Sequence, residues 1–310
     1  MTGEQPRNLA ASVHRRLLNR VQELDLNPNE TFQRYALERF LYRLSKSQHA
    51  DSFMLKGAML FAVWEDEPHR PTRDIDLLGF GEDSAERMRS VFVDVCQAEV
   101  EPDGVSFDPG SVTVEDIREA QDDQGKRVIV KGHLGNARLQ VQVDVGFGDT
   151  LVHWDRQVTY PTLLDFPAPH LRAYPVEAVI AEKLHAMAQH GMLNSRMKDL
   201  YDVYALSHRL AFSGPELVQA ISATFGERSV ALGDKPPAPL TAEFASDPTM
   251  QARWRGFLRR NRLQPLDLSE VVLGLSAFLT EPLQAIKIGG QFEMEWPPGG
   301  PWGRDKSHLI

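Results

Sequence analysis

The sequence predicts an α+β protein with a mixed sheet in its first half and a bundle of helices in its second half. Three patterns support this prediction. An apolar run at residues 53–55 is typical of a buried strand. Residues 138–145 alternate between polar and apolar side chains, as a strand with one buried face requires. From residue 176 the apolar residues recur every three to four positions, which is the period of an amphipathic helix. We therefore expect two domains, over residues 1–170 and 171–310.

Composition limits the classes of function. The chain has no apolar run approaching the ~18 residues of a membrane span, and its N-terminal stretch lacks the apolar core of a signal peptide, so we expect a cytoplasmic protein with no membrane partner. Cys96 is the single cysteine, which argues against a cysteine-cluster metal site. A formal net charge of −9 disfavours indiscriminate nucleic-acid binding. Residues 253–262 carry five arginines, and they form either a basic nucleic-acid face or an amphipathic helix with solvated arginines.

The N-terminal region predicts two amphipathic helices, over residues 10–24 and 31–45, with an Asn-Pro-Asn breaker between them. The strand at residues 53–55 follows. Gly57 and Ala58 then turn the chain into a helical stretch, and free N–H groups at such a helix start favour phosphate.

Two carboxylates close this segment. Asp74 and Asp76 alternate with Ile75 and Leu77, so in an extended strand both carboxylates project from one face while the apolar residues point into a core. Adjacent carboxylates repel each other unless cations neutralise them, and Mg²⁺ prefers oxygen ligands of this kind. A polar strand face in water is the plain alternative. Next to a phosphate-binding helix start, the pair favours chemistry on a nucleotide.

This order of glycine, helix, loop and paired aspartates resembles the DNA polymerase β-type nucleotidyltransferase superfamily. The runs LKGAML and HRPTRDIDLL are similar to the AbiEii family, the nucleotidyltransferase toxins of abortive-infection and type IV toxin–antitoxin systems that include the MenT-like toxins. The resemblance implies a polymerase β-type core, a mixed sheet with flanking helices, followed by a helical C-terminal lobe. Gly57-Ala58 departs from the usual Gly-Ser or Gly-Gly, so backbone amides would have to hold phosphate. The residues implied in nucleotide binding are Lys56, Gly57, Ala58, Arg70, Thr72 and Lys183.

A predicted hairpin supplies a third carboxylate. Residues 128–131 and 138–145 flank a turn at Gly135-Asn136, and Asp144 falls on the polar face of the second strand, just before two glycines. A solvent-facing aspartate at a strand end is the alternative. By the resemblance, Asp144 matches the third metal carboxylate, so that Asp74, Asp76 and Asp144 would bind Mg²⁺, or alternatively Mn²⁺, together with an NTP co-substrate.

The intervening stretches give weaker signals. A helix is expected from Ser84 to about residue 99, and one strand, residues 111–114, within an otherwise irregular acidic stretch at 100–125. The proline-rich residues 150–175 are expected to lead into the helical lobe.

Lys183 falls on the apolar stripe of the helix that begins near Pro175. Either its stem reaches water or its ammonium meets an anion in a cleft. We favour the cleft, because the resemblance places a helix lysine against the triphosphate. The resemblance also places an aspartate from a KDLYDVY-type segment in the active site. We assign this role to Asp199, which lies at the edge of the apolar stripe of that helix. Asp202 is the alternative, and it is predicted to lie closer to solvent.

Beyond residue 210 the chain is expected to stay helical to about residue 231, with a linker at 233–247, helices at 249–262 and 268–280, and an irregular tail.

By resemblance the function is that of a metal-dependent nucleotidyltransferase toxin that transfers NMP from NTP to the 3′ acceptor end of tRNA, with a cognate antitoxin encoded nearby. One alternative keeps the fold and modifies an antibiotic-like small molecule or a protein hydroxyl, which suits the acidic net charge. Another is a catalytically inactive binding module or antitoxin-like scaffold. Three like charges in one cleft argue against it, because they are costly to maintain without a function.

Overall fold

The computed structural model describes residues 8–65, 68–119, 123–148, 156–227, 233 and 235–304. They form two compact units, Met1–Tyr174 and Pro175–Ile310. The first unit is α+β and the second is almost entirely helical, which confirms the predicted fold class. That the two units are independently folding domains with a boundary after residue 170 stays a prediction.

A mixed eight-stranded sheet forms the centre of the first unit within the described residues. Along the chain its strands are β1 Phe53–Lys56, β2 Ile75–Gly79, β3 Val105–Phe107, β4 Thr113–Glu119, β5 Asp123–Leu134, β6 Ala137–Phe147, β7 Arg156–Thr159 and β8 His170–Ala173. Across the sheet the order is β3, β5, β6, β2, β1, β8, β7, and β4 also pairs with β5. β2 runs antiparallel to β1 and parallel to β6. The four strands β1, β2, β6 and β5 therefore lie side by side.

Helices of the first unit cover the sheet and begin where the sequence supplies caps. They are α1 Leu9–Glu23, α2 Pro28–Lys46, α3 Phe61–Trp64 and α4 Ala85–Gln97. The side chains of Asn8, Asn27 and Ser84 each accept a hydrogen bond from a backbone N–H of the first turn of α1, α2 and α4. α2 packs against β6 and β8, and α4 against β4 and β5. The ring of Phe40 stacks on that of Phe92, which joins α2 to α4 in the core. The two predicted N-terminal helices and the helix after Ser84 are confirmed.

Buried polar contacts from α2 hold the loop that leads into β8. Glu38 Oε2 accepts the backbone N–H of Leu163 at 2.7 Å, and Arg39 Nη2 donates to the carbonyl of Pro167 at 2.8 Å. Burial raises the pKa of Glu38 to about 7. Since β8 pairs with β1, these contacts help to fix one neighbour of the strand that leads into Gly57.

Two stretches that were expected to be mostly irregular contain additional strands. The single strand predicted at residues 111–114 is wrong: a 3₁₀ turn occupies Pro109–Ser111, β3 precedes it and β4 begins at Thr113. The proline-rich stretch before Pro175 contains β7 and β8. These strands are short, and β7 is largely exposed, so they carry little of the alternation that marks a strand in sequence.

The second unit consists of six helices and a two-stranded ribbon within its described residues. The helices are α5 Val176–His190, α6 Met197–Arg209, α7 Gly214–Glu227, α8 Ala242–Ser246, α9 Pro248–Arg260 and α10 Leu268–Ile288, and the ribbon pairs β9 Phe212–Ser213 with β10 Glu295–Trp296. By length and composition α10 could cross a membrane, although no apolar run of that length was expected. In this fold it packs against α6, α7 and α8.

Two expectations for the second unit need correction. The helix predicted from residue 210 is interrupted by β9, and residues 228–231 at its predicted end lie outside the described residues. The predicted linker contains α8, whose Phe244 is buried. The tail after Trp296 is irregular, as predicted, and it folds back onto the helices: Trp296 Nε1 donates to the carbonyl of Ser207 and Trp302 Nε1 to that of Phe278. Buried indoles thus hold a proline- and glycine-rich segment in place.

Candidate active site

A row of four charged residues crosses the middle of the sheet in the first unit. Lys56 on β1 is in register with Asp76 on β2, Asp76 with Asp144 on β6, and Asp144 with Arg127 on β5. Residues in register on neighbouring strands project to the same face. The register therefore puts two carboxylates side by side, with one cation beyond each of them.

Asp74 completes a cluster of three carboxylates. It directly precedes β2, two positions before Asp76. Asp74, Asp76 and Asp144 each offer one oxygen such that these atoms all lie within 4.8 Å of one another, and all three residues are half-buried. The structure thus brings together the three acidic residues that the sequence singled out. Three carboxylate oxygens at this spacing fit a divalent cation that prefers oxygen ligands, such as Mg²⁺ or Mn²⁺.

Gly57 makes room for the Asp76 carboxylate. Its φ of +70° lies in the left-handed region, and a Cβ at this position would be 2.0 Å from Asp76 Oδ2. Any other residue would therefore collide with a carboxylate of the cluster. Gly57 opens a 3₁₀ turn that runs to Leu60, and α3 follows, so the helical stretch predicted at residues 59–64 is 3₁₀ at 59–60 and α-helical at 61–64.

Arg127 is a residue of this site that the sequence interpretation missed. Its Nε donates to Asp144 Oδ1 at 2.9 Å and its Nη2 to Oδ2 at 2.7 Å, while Gln142 Nε2 lies 3.2 Å from both oxygens. A signal was available, because a two-residue turn at Gly135-Asn136 sets the register that puts Arg127 opposite Asp144. The predicted first strand began one residue too late to include it. Arg127 and a metal ion would compete for the same two oxygens.

Of the other expected nucleotide-binding residues in the first unit, Thr72 and Lys56 lie beside carboxylates of the cluster. Thr72 precedes β2 and does not share its face, but its Oγ1 donates to Asp74 Oδ1 at 3.1 Å from the loop. The guanidinium of Arg70 lies over the ring of Phe61, 5.3 Å from its centroid. The ammonium of Lys56 lies 5.6 Å from the ring centroid of Tyr174. Ala58 is half-buried in the 3₁₀ turn after Gly57.

The second unit contains a separate buried charge cluster. Lys183 Nζ lies 2.8 Å from Asp199 Oδ1 and 2.8 Å from Asp202 Oδ2, and Arg196 Nε lies 2.7 Å from Asp199 Oδ2. The side chains of Lys183, Asp199 and Asp202 are 13%, 2% and 0% exposed. The expectation that Asp202 turns toward solvent is therefore wrong: both aspartates, three residues apart on α6, face the lysine of α5.

The neighbouring cations keep the buried Asp199 carboxylate ionised. Burial alone would raise the pKa of Asp199, but the ammonium of Lys183 and the guanidinium of Arg196 hold it below its ordinary value. Lys183 thus meets anions on its own chain, and one role expected for Asp199, to orient Lys183, agrees with this contact. The assignment of Lys183 and Asp199 to the active site stays a prediction.

The profile of the family described as nucleotidyl transferase AbiEii toxin of type IV toxin–antitoxin systems matches residues 39–278, which include most of both units. The chain belongs to the AbiEii family. The resemblance based on LKGAML and HRPTRDIDLL is thereby confirmed, and this AbiEii protein is a nucleotidyltransferase. The family also implies a cognate antitoxin. No curated protein matches the sequence.

Two solved structures from Helicobacter pylori share the fold of this AbiEii protein. JHP933 superposes with a TM-score of 0.51 at 13% identity, over 85% of this chain and 96% of its own. A second structure, assigned as a nucleotidyltransferase, gives a TM-score of 0.50 at 13% identity, over 86% of this chain and 100% of its own. At this identity the likeness concerns the fold alone.

Gly57→Ala is expected to weaken Mn²⁺ binding to this AbiEii protein at least tenfold, because the added Cβ must displace the Asp76 carboxylate. Electron paramagnetic resonance of Mn²⁺ titrations measures the affinity. Gly81→Ala is the matched control, since Gly81 also has a positive φ, +90°, but the nearest atom to its Cβ would be 3.5 Å away on Arg87. Equal affinities in the two variants would show that Gly57 does not shape a metal site.

Arg127→Gln is expected to tighten Mn²⁺ binding several-fold in the absence of nucleotide, because it removes the cation that occupies both oxygens of Asp144. Isothermal titration calorimetry gives the dissociation constant. Lys126→Gln removes the same charge from the neighbouring position, on the opposite face of β5, where Lys126 pairs with Asp116. Weaker binding in Arg127→Gln would mean that the guanidinium supports the metal-binding orientation of Asp144.

Lys183→Met is expected to lower the free energy of unfolding at pH 7 by about 3–5 kcal/mol, the usual cost of leaving buried charge uncompensated. In the wild type, the lowered pKa of Asp199 gives a stability contribution that is present above the unfolded pKa, near 3.8, and is lost as pH falls through the folded pKa. In the variant Asp199 keeps Arg196 but loses the ammonium of Lys183, so its pKa is less depressed than in the wild type and the deficit shrinks between pH 7 and pH 4.

Urea unfolding at the two pH values measures this effect. Lys198→Met, at an exposed lysine of the same helix α6, is the control and should change stability little. A similarly small loss in both variants would contradict the role of Lys183 as the buried counter-charge.

Proposed function

We propose that this protein is a nucleotidyltransferase toxin, dependent on Mg²⁺ or Mn²⁺, that transfers a nucleoside monophosphate from an NTP to the 3′ acceptor end of tRNA. The observation that carries the proposal is the cluster of Asp74, Asp76 and Asp144, whose oxygens lie within 4.8 Å of one another beside Gly57. Membership of a family of nucleotidyltransferase toxins supports it.

The three carboxylates would hold the divalent ions. Bound there, divalent cations neutralise charge on the attacking and leaving oxygens of an in-line displacement. Asp76 and Asp144 are fixed by the register of β2 and β6, and Thr72 donates to Asp74. The protein's own contribution is therefore to keep three like charges at fixed positions on one sheet face, so that little reorganisation is needed during the reaction.

Cationic and backbone groups near the cluster would bind the triphosphate. The N–H groups of Gly57 and Ala58 lie at the start of the 3₁₀ turn, and the absence of a side chain on Gly57 lets the backbone approach the carboxylates closely. Lys56 and Arg70 bring positive charge to the same unit, held over Tyr174 and Phe61 respectively. These cations favour a polyanionic substrate next to the acidic cluster.

We assign Lys183 as a further phosphate-binding residue, with Asp199 as a positioning residue. Their contact at 2.8 Å supports this assignment, because a buried aspartate fixes the ammonium in one place. Asp202 holds the same ammonium at the same distance, so it shares the positioning role.

Asp144 is the carboxylate that we assign to receive the proton of the acceptor hydroxyl, with Arg127 as the residue that orients it. The proton leaves the acceptor oxygen as that oxygen bonds to the α-phosphorus of the NTP, and pyrophosphate departs. A general base acts when it lies within hydrogen-bonding reach of the proton. The cytoplasm, where NTPs and tRNA are abundant, is the compartment that this reaction requires.

A second candidate is the nucleotidylation of a cationic small molecule or of a protein hydroxyl. The formal net charge of −9 favours it, since an acidic protein attracts cationic acceptors more readily than RNA.

The decisive experiment incubates the protein with Mg²⁺, each of the four α-³²P-labelled NTPs and total tRNA. We expect label in tRNA from the wild type and at least a hundredfold less from Asp74→Asn, because the charge that would hold the metal is lost. Asp83→Asn makes the same chemical change at an exposed aspartate of the first unit and should retain full activity. Label in a small product or a protein band, and none in RNA, would replace the tRNA proposal with the second candidate.

A further inference from the structure

Helix α9 buries one face and exposes the other. Met250, Trp254, Phe257 and Leu258 recur at helical spacing and are buried, and Trp254 Nε1 donates to the carbonyl of Leu266 at 2.6 Å. This part of the amphipathic-helix interpretation is confirmed. It does not account for the composition of the opposite face.

The exposed side of α9 and the turn after it carry four arginines, which we name the α9 arginine face: Arg255, Arg259 and Arg260 on the helix, and Arg262 two residues beyond its end. All four are exposed, and within the described part of the chain none of them forms an ion pair with a carboxylate. Residues 248–266 contain five arginines and no acidic residue, in a chain of formal charge −9. The fifth, Arg253, is held by the carbonyl of Asn194 at 3.1 Å.

Such a face is unusual for this chain. Two of the three arginines on α1 have acidic partners, since Arg16 pairs with Asp165 and Arg20 with Glu23. On α9, Arg255 and Arg259 are like charges at i and i+4, which repel each other. The helix dipole favours Arg259 and Arg260 in the last turn, but this effect does not reach Arg255 in the middle of the helix.

The surface around these arginines is open, and the aromatic residues of α9 itself are buried. Gly256 lies between Arg259 and Arg260 in helical projection, and a Cβ placed on it would meet no atom within 4 Å among the described residues. Protein interfaces are centred on buried apolar or aromatic residues, and here Trp254 and Phe257 point into the core. The chemistry of the face is that of guanidinium groups, which pair with phosphate in a bidentate way.

We propose that the α9 arginine face binds the phosphate backbone of the acceptor RNA. This rests on the proposed function for the choice of RNA as the polyanion. Binding is independent of base sequence, because the aromatic residues of α9 are buried and do not stack on bases. The face thus reconciles an acidic chain with an RNA substrate, because residues 248–266 are locally basic in a chain whose formal net charge is −9.

Fluorescence anisotropy of labelled tRNA tests the proposal over a range of KCl concentrations, in the Asp74→Asn background so that no transfer occurs. The variant Arg255→Gln/Arg259→Gln/Arg262→Gln should bind tRNA at least tenfold more weakly. Its slope of log affinity against log salt should be shallower by about 2, since each lost phosphate contact removes roughly 0.7–0.9 from the slope. The substitutions are at exposed positions, and thermal unfolding verifies that the variant stays folded.

The matched control changes three exposed arginines of the first unit, Arg15, Arg20 and Arg138, to Gln, and so removes the same total charge. If both triple variants lose affinity and slope equally, net charge alone is responsible and the proposal is overturned. Poly-glutamate serves as a second probe. Loss of poly-glutamate binding with tRNA binding unchanged would identify a protein-binding surface and would also overturn the proposal.

Transfer assays separate this inference from the proposed function. With otherwise active protein, the α9 triple variant should raise the KM for tRNA and leave kcat unchanged, as expected for uniform binding outside the reaction centre. Wild-type protein that binds tRNA through α9 but labels only small molecules would refute the proposed acceptor and leave the RNA-binding face standing. A fall in kcat at constant KM would refute the docking role.

Discussion

Repulsion among three carboxylates is the physical constraint on which the first unit depends. The cluster brings together carboxylate oxygens that lie within 4.8 Å of one another, from Asp74, Asp76 and Asp144. Their repulsion raises the free energy of the folded state unless positive charge is nearby. The register of the sheet reduces this repulsion, because it places Lys56 next to Asp76 and Arg127 next to Asp144. The order of the central strands is therefore an electrostatic arrangement as much as a packing one.

The flanking cations define how a metal could enter. Arg127 makes a bidentate contact with Asp144, the strongest geometry available to a carboxylate on a protein. A divalent ion that binds Asp144 must share its oxygens with the guanidinium or displace it. Asp76 is in register with Lys56 on β1, so cations flank the cluster on both sides. Metal binding at Asp144 depends on the position of the Arg127 side chain.

The second unit also brings like charges together, but there the carboxylates are buried. Asp199 and Asp202 are almost completely buried, and Lys183 neutralises both. Buried ion pairs contribute little net stability, but removal of one partner is expensive. Lys183 is therefore a structural residue whatever its part in nucleotide binding, and a loss of activity on its substitution has to be read together with stability. The α9 arginine face is the opposite case, since its charges are exposed and within the described residues lack carboxylate partners, so they are available to an external polyanion.

The sequence by itself determined the features that depend on local periodicity. Alternation along a strand placed Asp74, Asp76 and Asp144 on polar faces, a glycine before a helix start marked the close approach at Gly57, and helical spacing set the α5 to α6 region. The tertiary structure alone decided the contacts between elements that are distant in sequence: the burial of Asp202, the return of the tail through buried indoles, and the short strands that pair at the sheet edges. Arg127 lies between these cases, because the hairpin turn fixed its register, yet its guanidinium contact with Asp144 needed the folded strands. The physical reason is that the periodicity of a helix or strand depends on residues that are close in sequence. A buried charge or a short strand is instead stabilised by partners that only folding brings near.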